Sequence, residues 1–137
     1  MASGTSDKRR PLTITTEPIS THGSSIAVEG ELDIDGIDDL RDAIVSQISR
    51  GHSHLVFDLS GTEFLDCAAI GQLMVSIAPL REDPRAAVVL LGPRGRVRRL
   101  LDLLRFERVI PIADDRAAAI DLVHGETQAL AGWRKLR

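Results

Sequence analysis

Apolar and polar residues alternate over two stretches near the start of the chain. Leu12 and Ile14 alternate with threonines, and the alternation resumes with Ile26 and Val28 after a polar segment around Gly23. Alternation with a period of two indicates strands with one buried face, and turn-forming residues between two such stretches indicate a β-hairpin. The sequence therefore predicts a hairpin as the first part of the fold.

Further along the chain, apolar residues recur every three or four positions, which is the period of a helix with one buried face. Asp35 and Asp66 precede the first two of these stretches and are predicted to be their N-caps. Gly51 would close the first helix as a left-handed cap, and Pro79 would end or kink the second. The apolar stripes are Ile37, Leu40, Ile44 and Ile48; Ile70, Leu73, Met74 and Ile77; Val97, Leu100, Leu101 and Leu104; and Ala117, Ile120 and Val123 in a helix that begins near Asp114 or Asp115.

Two short runs, residues 55–59 and 87–91, are apolar at nearly every position and predict strands that are buried on both faces of a sheet. Residues 109–112 predict only a short edge strand, because Pro111 has no N–H to donate to a neighbouring strand. The predicted order is β-β-α-β-α-β-α-β-α. Strands that alternate with helices in this way indicate an α/β fold with a mixed, mainly parallel sheet.

The chain of 137 residues is long enough for one globular domain. Residues 1–10 are predicted to be a disordered leader, residues 11–124 the domain, and residues 125–137 an amphipathic basic tail. No stretch is long and apolar enough to cross a membrane and no apolar targeting segment follows the start, so a cytoplasmic protein is expected. A single cysteine, Cys67, excludes a disulfide within the chain.

The formal net charge of −3 conceals two opposed patches. Seven acidic residues and one arginine lie within residues 29–42, whereas six arginines and two acidic residues lie within residues 94–108. Solvated helix faces are the common explanation for such charge runs. The alternative is that one patch docks a partner of opposite charge.

The usual signatures of catalysis and cofactor binding are missing from the sequence. It contains no glycine-rich phosphate loop that ends in Lys-Ser or Lys-Thr and no Gly-x-Ser-x-Gly element. His52 and His54 could share a metal only with a distant third ligand, so no metal site is expected. Together with the missing motifs, this indicates a protein that is not an enzyme and binds no cofactor. An aromatic content of 3% leaves few rings for stacking on nucleic-acid bases. Nucleotide binding remains a hypothesis that would rely on Arg94, Arg96, Arg98 and Arg99.

The most distinctive segment is residues 64–71, Phe-Leu-Asp-Cys-Ala-Ala-Ile-Gly, which joins a buried strand to the second helix. The first turn of that helix carries only small side chains, so its backbone N–H groups are open to an approaching group. Such a helix start attracts a phosphate or a carboxylate. Small residues that allow close packing are an equally good explanation.

Two stretches occur together in this order: Val28-Glu29-Gly30-Glu31-Leu32-Asp33 followed by a helix, and then residues 55–66, Leu-Val-Phe-Asp-Leu-Ser-Gly-Thr-Glu-Phe-Leu-Asp. They resemble the two signature segments of STAS domains, and specifically of bacterial anti-sigma factor antagonists. The resemblance spans about residues 12–123 and includes the order of the elements. It implies a mixed sheet with helices largely on one face. It also implies a protein that binds an anti-sigma factor of the serine-kinase type and frees the sigma factor, until the kinase phosphorylates a serine at the start of the second helix.

The family motif Asp-Ser-Ser-Gly-Leu-Gly falls on residues 66–71 of this chain. Its phosphoacceptor, the second serine, falls on Ala68, which has no hydroxyl, and its first glycine falls on Ala69. The threonine that usually follows the Gly-Glu-Leu-Asp signature falls on Gly36. The resemblance implies a partner-binding surface that consists of Asp33, Asp35, Asp66, Cys67, Ala68, Ala69 and Gln72.

The first hypothesis is an anti-sigma factor antagonist that phosphorylation at position 68 cannot turn off. It is expected to be a monomer or a weak dimer. Neither a nucleic acid nor a membrane is expected as a partner. The alternative is a STAS subunit that serves as a scaffold or ligand sensor in a stress-signalling or lipid-transport complex. Ser60 or Thr62 could replace Ala68 as the phosphoacceptor. Cys67 is expected to be inert and half-buried, with a redox switch as the alternative, because its oxidation would place polarity or charge beside position 68.

Overall fold

The computed structural model describes residues 11–125 of the chain. Its first two elements are the predicted hairpin, in which β1 (Thr13–Ser20) and β2 (Gly23–Leu32) are antiparallel and joined by a two-residue turn. The leader predicted for residues 1–10 and residues 126–137 of the predicted basic tail lie outside the described residues.

Four further strands are β3 (His54–Asp58), β4 (Thr62–Leu65), β5 (Ala87–Leu91) and β6 (Ile112–Ala113). The strand order is β1-β2-β3-β5-β6, and every pair except β1–β2 is parallel. The strand β4 lies off this path and pairs with the last residues of β2, from Gly30 to Leu32. The mixed, mainly parallel sheet is therefore confirmed, but the predicted element order omitted β4.

Four α-helices connect or follow the strands: α1 (Ile37–Ser49), α2 (Cys67–Ile77), α3 (Gly95–Leu103) and α4 (Arg116–His124). The helix α2 ends at Ile77, where the chain continues as a 3₁₀-helix over Ala78–Glu82 with Pro79 in its first turn. A second 3₁₀-helix covers Phe106–Arg108. Pro79 thus ends α2 as predicted, because proline cannot donate the next intrahelical hydrogen bond.

The helix ends confirm two of the predicted caps and the predicted start of α4, and they correct one cap. Asp66 and Asp115 are the N-caps of α2 and α4, and Gly51, with φ at +88°, follows the end of α1. The prediction that Asp35 caps α1 is wrong, since the cap residue is Gly36 and has no side-chain hydrogen bond. Asp33 is the reason: its Oδ1 accepts from the Asp35 backbone N–H at 3.0 Å and its carbonyl accepts from the Gly36 N–H at 3.0 Å.

The sheet carries a hydrophobic core on each face, and the helices are distributed unequally between the two faces. On one face, Phe57 and Leu90 pack with apolar residues of α1, α2 and α3; on the other, Val56 and Val89 pack with those of α4. Adjacent residues face opposite ways and are buried throughout β5 and over Leu55–Phe57 of β3, which explains the apolar runs in these two strands. The prediction of helices largely on one face is confirmed.

Because most strands are parallel, their carboxyl ends lie at one edge of the sheet and their amino ends at the other. The carboxyl ends of β2, β3, β4 and β5 lead to residues 33, 59, 66 and 92 at one edge, whereas the amino ends of β2, β3 and β5 lie at the other. Within residues 11–125 no helix has the length and apolar content needed to span a membrane.

Candidate partner-binding site at the start of helix α2

Asp66 holds the start of α2 in place. It is the first residue after β4, in extended conformation, and its Oδ1 accepts a hydrogen bond from the backbone N–H of Ala69 at 2.9 Å. Its carbonyl accepts from the N–H of Ile70 at 3.1 Å. An aspartate at this position satisfies a free N–H of the first turn and places a negative charge at the positive end of the helix dipole.

The pairing of β2 with β4 brings Asp33 to the same place. Leu32 is paired in register with Leu65, and Asp33 and Asp66 are the first residues after the two strands. Two carboxylates that are 33 positions apart in the sequence therefore leave the sheet from adjacent strands. Asp35 follows in the exposed turn before α1.

An exposed stripe runs along α2 from its first turn. Ala68, Gly71 and Val75 are exposed and Gln72 is half-buried, and this spacing of three and four residues places them on one side of the helix. Val75 is 65% exposed although it is a large apolar residue. We call this stripe, together with Cys67, the α2 surface.

These side chains are small, apolar or neutral, and they are bordered by the carboxylates of Asp33, Asp35 and Asp66. Ile34, which lies between two of these aspartates in the chain, is 74% exposed. Exposed apolar residues that are rimmed by polar ones are typical of protein–protein contact sites. The arrangement suits the docking of another protein.

The model of the STAS domain family matches residues 14–119. This chain belongs to the STAS domain family. Comparison with curated proteins gives no match.

Solved structures similar to this STAS domain include an anti-sigma factor antagonist from Mycobacterium paratuberculosis, with 24% sequence identity, a TM-score of 0.73 and coverage of 84% of this chain and 96% of that chain. The anti-sigma factor antagonist SpoIIAA in its unphosphorylated form has 20% identity, a TM-score of 0.66 and coverage of 82% and 97%. The Bacillus cell fate determinant SpoIIAA in the phosphorylated form has 20% identity, a TM-score of 0.63 and coverage of 82% and 100%. At these identities the likeness establishes the fold.

The structure places six of the seven residues predicted to bind a partner at the surface around the start of α2 and buries the seventh. Asp33 and Asp66 lie together, and Cys67, Ala68 and Gln72 belong to the α2 surface, with Asp35 in the neighbouring turn. Ala69 is different, because it is only 1% exposed and its methyl group packs in the core. Its side chain is therefore not available to a partner. Cys67 is exposed rather than half-buried, which corrects the expectation for its accessibility.

Three residues of this region were not predicted: Ile34, Gly71 and Val75. Gly71 and Val75 follow Ala68 at intervals of three and four positions, so the helical period that identified the buried stripe of α2 could also have identified the exposed one. For Ile34 no sequence signal existed, because its exposure depends on the turn that Asp33 organises.

The hydroxyls of Ser60 and Thr62 both donate hydrogen bonds within the domain. Thr62 is buried, and its Oγ1 donates to the carbonyl oxygen of Val28. A kinase cannot reach it in the folded domain. Ser60 is half-buried, and its Oγ donates to Oδ1 of Asp58 at 2.6 Å.

The arginines of α3 border β4 and do not form one cluster. Arg96 lies over the ring of Phe64, with its guanidinium carbon 5.6 Å from the ring centroid. Arg98 donates to Asp114 and to Asp102, each at 3.1 Å, and these two hydrogen bonds raise the pKa of Arg98 above its usual value. The guanidinium of Arg98 is thus already paired, which weakens the nucleotide hypothesis built on these arginines.

A metal site is not formed by the residues that the structure describes. No group of three or more histidine, cysteine, aspartate or glutamate side chains within residues 11–125 is arranged to hold a metal ion. His52 and His54 line one cavity together with His22.

Proposed function

We propose that this STAS domain is an anti-sigma factor antagonist that binds an anti-sigma factor of the serine-kinase type through the α2 surface and thereby releases the sigma factor. The observation that carries the proposal is the exposed position of Ala68 in the first turn of α2, where the family places its phosphoacceptor serine. The protein acts by binding and not by catalysis.

The electrostatics of the site explain how such a complex would normally be ended. A phosphate on position 68 would add nearly two negative charges beside the carboxylates of Asp33 and Asp66. Repulsion and the cost of desolvating the phosphate would then oppose docking. Alanine cannot accept a phosphate, so this domain stays in the state that corresponds to the unphosphorylated, binding-competent form.

The test is direct binding, measured calorimetrically, between the purified protein and each serine-kinase anti-sigma factor encoded in its own genome. Ala68→Asp places a negative charge on the α2 surface and should lower the affinity about tenfold or more. Ala117→Asp is the matched control, because Ala117 is exposed at the second position of α4, a helix capped in the same way by Asp115 but on the other face of the sheet.

The proposal fails if no such anti-sigma factor binds the wild-type protein. It also fails if the two aspartate variants lose affinity equally, since the effect would then not be specific to the α2 surface. Circular dichroism of both variants establishes that each is folded before binding is compared.

A further inference from the structure

A cavity of about 470 Å³ lies at the edge of the sheet opposite the α2 surface. The residues that line it include the apolar residues Ile48, Pro79 and Leu80 and the histidines His22, His52 and His54. Pockets that hold a small organic group have volumes of about 300–1,000 Å³, so this cavity is large enough for one bulky side chain. It shares no lining residue with the α2 surface and is therefore a separate candidate site.

The polar atoms around the cavity do not favour a charged ligand. Nδ1 of His52 and Nδ1 of His54 are both buried, and neither has a hydrogen-bond partner among the described residues. Nε2 of His54 lies 3.0 Å from the carbonyl oxygen of Arg85 and donates to it, because a carbonyl can only accept. The two charged residues of the lining pair with each other, since Nε of Arg85 lies 3.7 Å from Oδ1 of Asp83. An apolar group with few polar atoms therefore fits this cavity better than an ion.

Gly125 brings the end of α4 to the rim of this cavity. It is the C-cap of α4, has an extended conformation, and lines the cavity. His124, the last residue of α4, packs edge-on against His54 of β3, with the ring centroids 5.4 Å apart and the ring planes at 77°. This contact between the two imidazoles holds the end of α4 beside the cavity. The segment that follows, residues 126–137, therefore begins at the cavity itself.

The sequence of residues 126–137 contains large apolar side chains within reach of the cavity. Leu130, Trp133 and Leu136 recur every three positions, and Trp133 is the only tryptophan of the chain. It comes eight residues after Gly125, a separation that spans about 12 Å along helical backbone and up to about 28 Å along extended backbone. An indole also matches the lining. It combines a large apolar surface with a single N–H donor, for which the carboxylate of Asp83 is an acceptor.

We propose that residues 126–137 dock on their own domain and that the Trp133 side chain fills this cavity, against Ile48, Pro79 and Leu80. Burial of the indole removes apolar surface from water, which supplies the free energy of docking. Pro79 and Leu80 belong to the 3₁₀-helix that continues α2, so the docked segment would hold the far end of the helix whose first turn carries Ala68. The docking does not depend on the proposed function, because it involves no residue of the α2 surface.

The test uses the full chain and the fluorescence of its single tryptophan. We expect the emission maximum of Trp133 to lie at shorter wavelength than that of free tryptophan. Acrylamide should quench this emission less than it quenches the emission of the urea-unfolded protein. In NMR, nuclear Overhauser contacts between the indole ring and the methyl groups of Ile48 and Leu80 would identify the cavity as the docking site. All three observations should be independent of protein concentration, since the segment docks on its own domain.

Variants with matched controls test both sides of the contact. Leu130→Asp places a charge in the apolar stripe that includes Trp133, and Pro79→Asp places one in the wall of the cavity. Because a buried charge without a partner is costly, each should move the emission to longer wavelength, increase quenching and abolish the indole contacts. Gln128→Asp lies off the stripe, and Leu103→Asp lies on α3 outside the cavity, where Leu103 is 81% exposed; neither should change the fluorescence. Circular dichroism establishes that the variants are folded, and Leu130→Asp, outside residues 11–125, keeps the test valid if Pro79→Asp unfolds.

Emission of wild-type Trp133 at the wavelength of free tryptophan would overturn the proposal. So would indole contacts with residues outside the cavity, or equal effects of Leu130→Asp and Gln128→Asp. A shift to shorter wavelength that appears only at high protein concentration would show that the segment docks on a second copy of the chain, which also overturns the proposal.

Discussion

Asp66 and Asp115 occupy the same position in two helices on opposite faces of the sheet. Asp66 accepts from the N–H of Ala69 at 2.9 Å, and Asp115 accepts from the N–H of Ala118 at 2.8 Å. Each is followed, two residues later, by an exposed alanine. The two helix starts are locally alike, and what distinguishes the first is its surroundings, above all Asp33, which directly follows the strand that pairs with β4. This likeness supplies a matched control for experiments on α2.

A serine at position 68 should restore the phosphorylation switch. In Ala68→Ser the new hydroxyl is exposed in the first turn of α2, and we expect the partner kinase with ATP to phosphorylate it and the complex to dissociate. Phosphate incorporation is read by mass spectrometry and dissociation by size-exclusion chromatography. Ala117→Ser should remain unmodified. A phosphorylated Ala68→Ser protein that binds with wild-type affinity would contradict the mechanism.

Removal of the Asp66 cap should reduce stability and binding together. Asp66→Ala leaves the Ala69 N–H without its acceptor, and we expect the free energy of unfolding to fall by about 1 kcal/mol. Asp115→Ala should cost a similar amount by the same loss. Urea denaturation measures both effects. Only Asp66→Ala should weaken binding to the anti-sigma factor, and equal binding by the two variants would show that Asp66 acts in stability alone.

Oxidation of Cys67 should weaken partner binding. The thiol is exposed at the first position of α2, and its conversion by peroxide to sulfinic acid would add a charged group beside Ala68. Binding is measured before and after treatment, with mass spectrometry to establish the oxidation state of Cys67. Cys67→Ser should bind equally in both conditions. Unchanged affinity of a fully oxidised protein would exclude a redox role.

The stability of the domain should fall in mildly acidic solution because of His54. Burial, with smaller effects of His124 and His22, lowers the pKa of His54 below its ordinary value of 6.5 in the folded protein. The unfolded chain therefore binds the proton more readily, and the free energy of unfolding decreases as the pH falls below about 6.5. Well above this pH His54 is neutral in both states, so it causes no loss of stability there.

Urea denaturation of the wild-type protein and of His54→Gln, in chloride from about pH 5 to about pH 8, checks this expectation. The variant should lose less stability over the acidic part of the range. A parallel pH dependence of the two proteins would show that other groups control the acid sensitivity.

Local features of the sequence predicted most of the elements. The stripes of α1 and α2 and the alternation in β1 and β2 follow from periods of a few residues, and the cap at Asp66 follows from the preference of aspartate for that position. The stripes predicted for α3 and α4 are wrong at one residue each, because Leu104 lies beyond the end of α3 and Ala117 is exposed. The strand β4 was not predictable in this way. It has four residues, half of them polar, and its extended conformation depends on pairing with β2 about 30 positions earlier, with an irregularity in the register beside Gly30.

The sequence by itself determined the order of most elements, the capped start of α2 and the absence of a hydroxyl at position 68, because each depends on residues close together in the chain. The tertiary structure alone decided that Asp33 lies beside Asp66, that Ala69 faces the core, and that the four histidines meet at one edge of the sheet. These relationships arise from strand pairing and helix packing between distant segments. No local period or cap encodes such contacts, so they follow only from the folded arrangement.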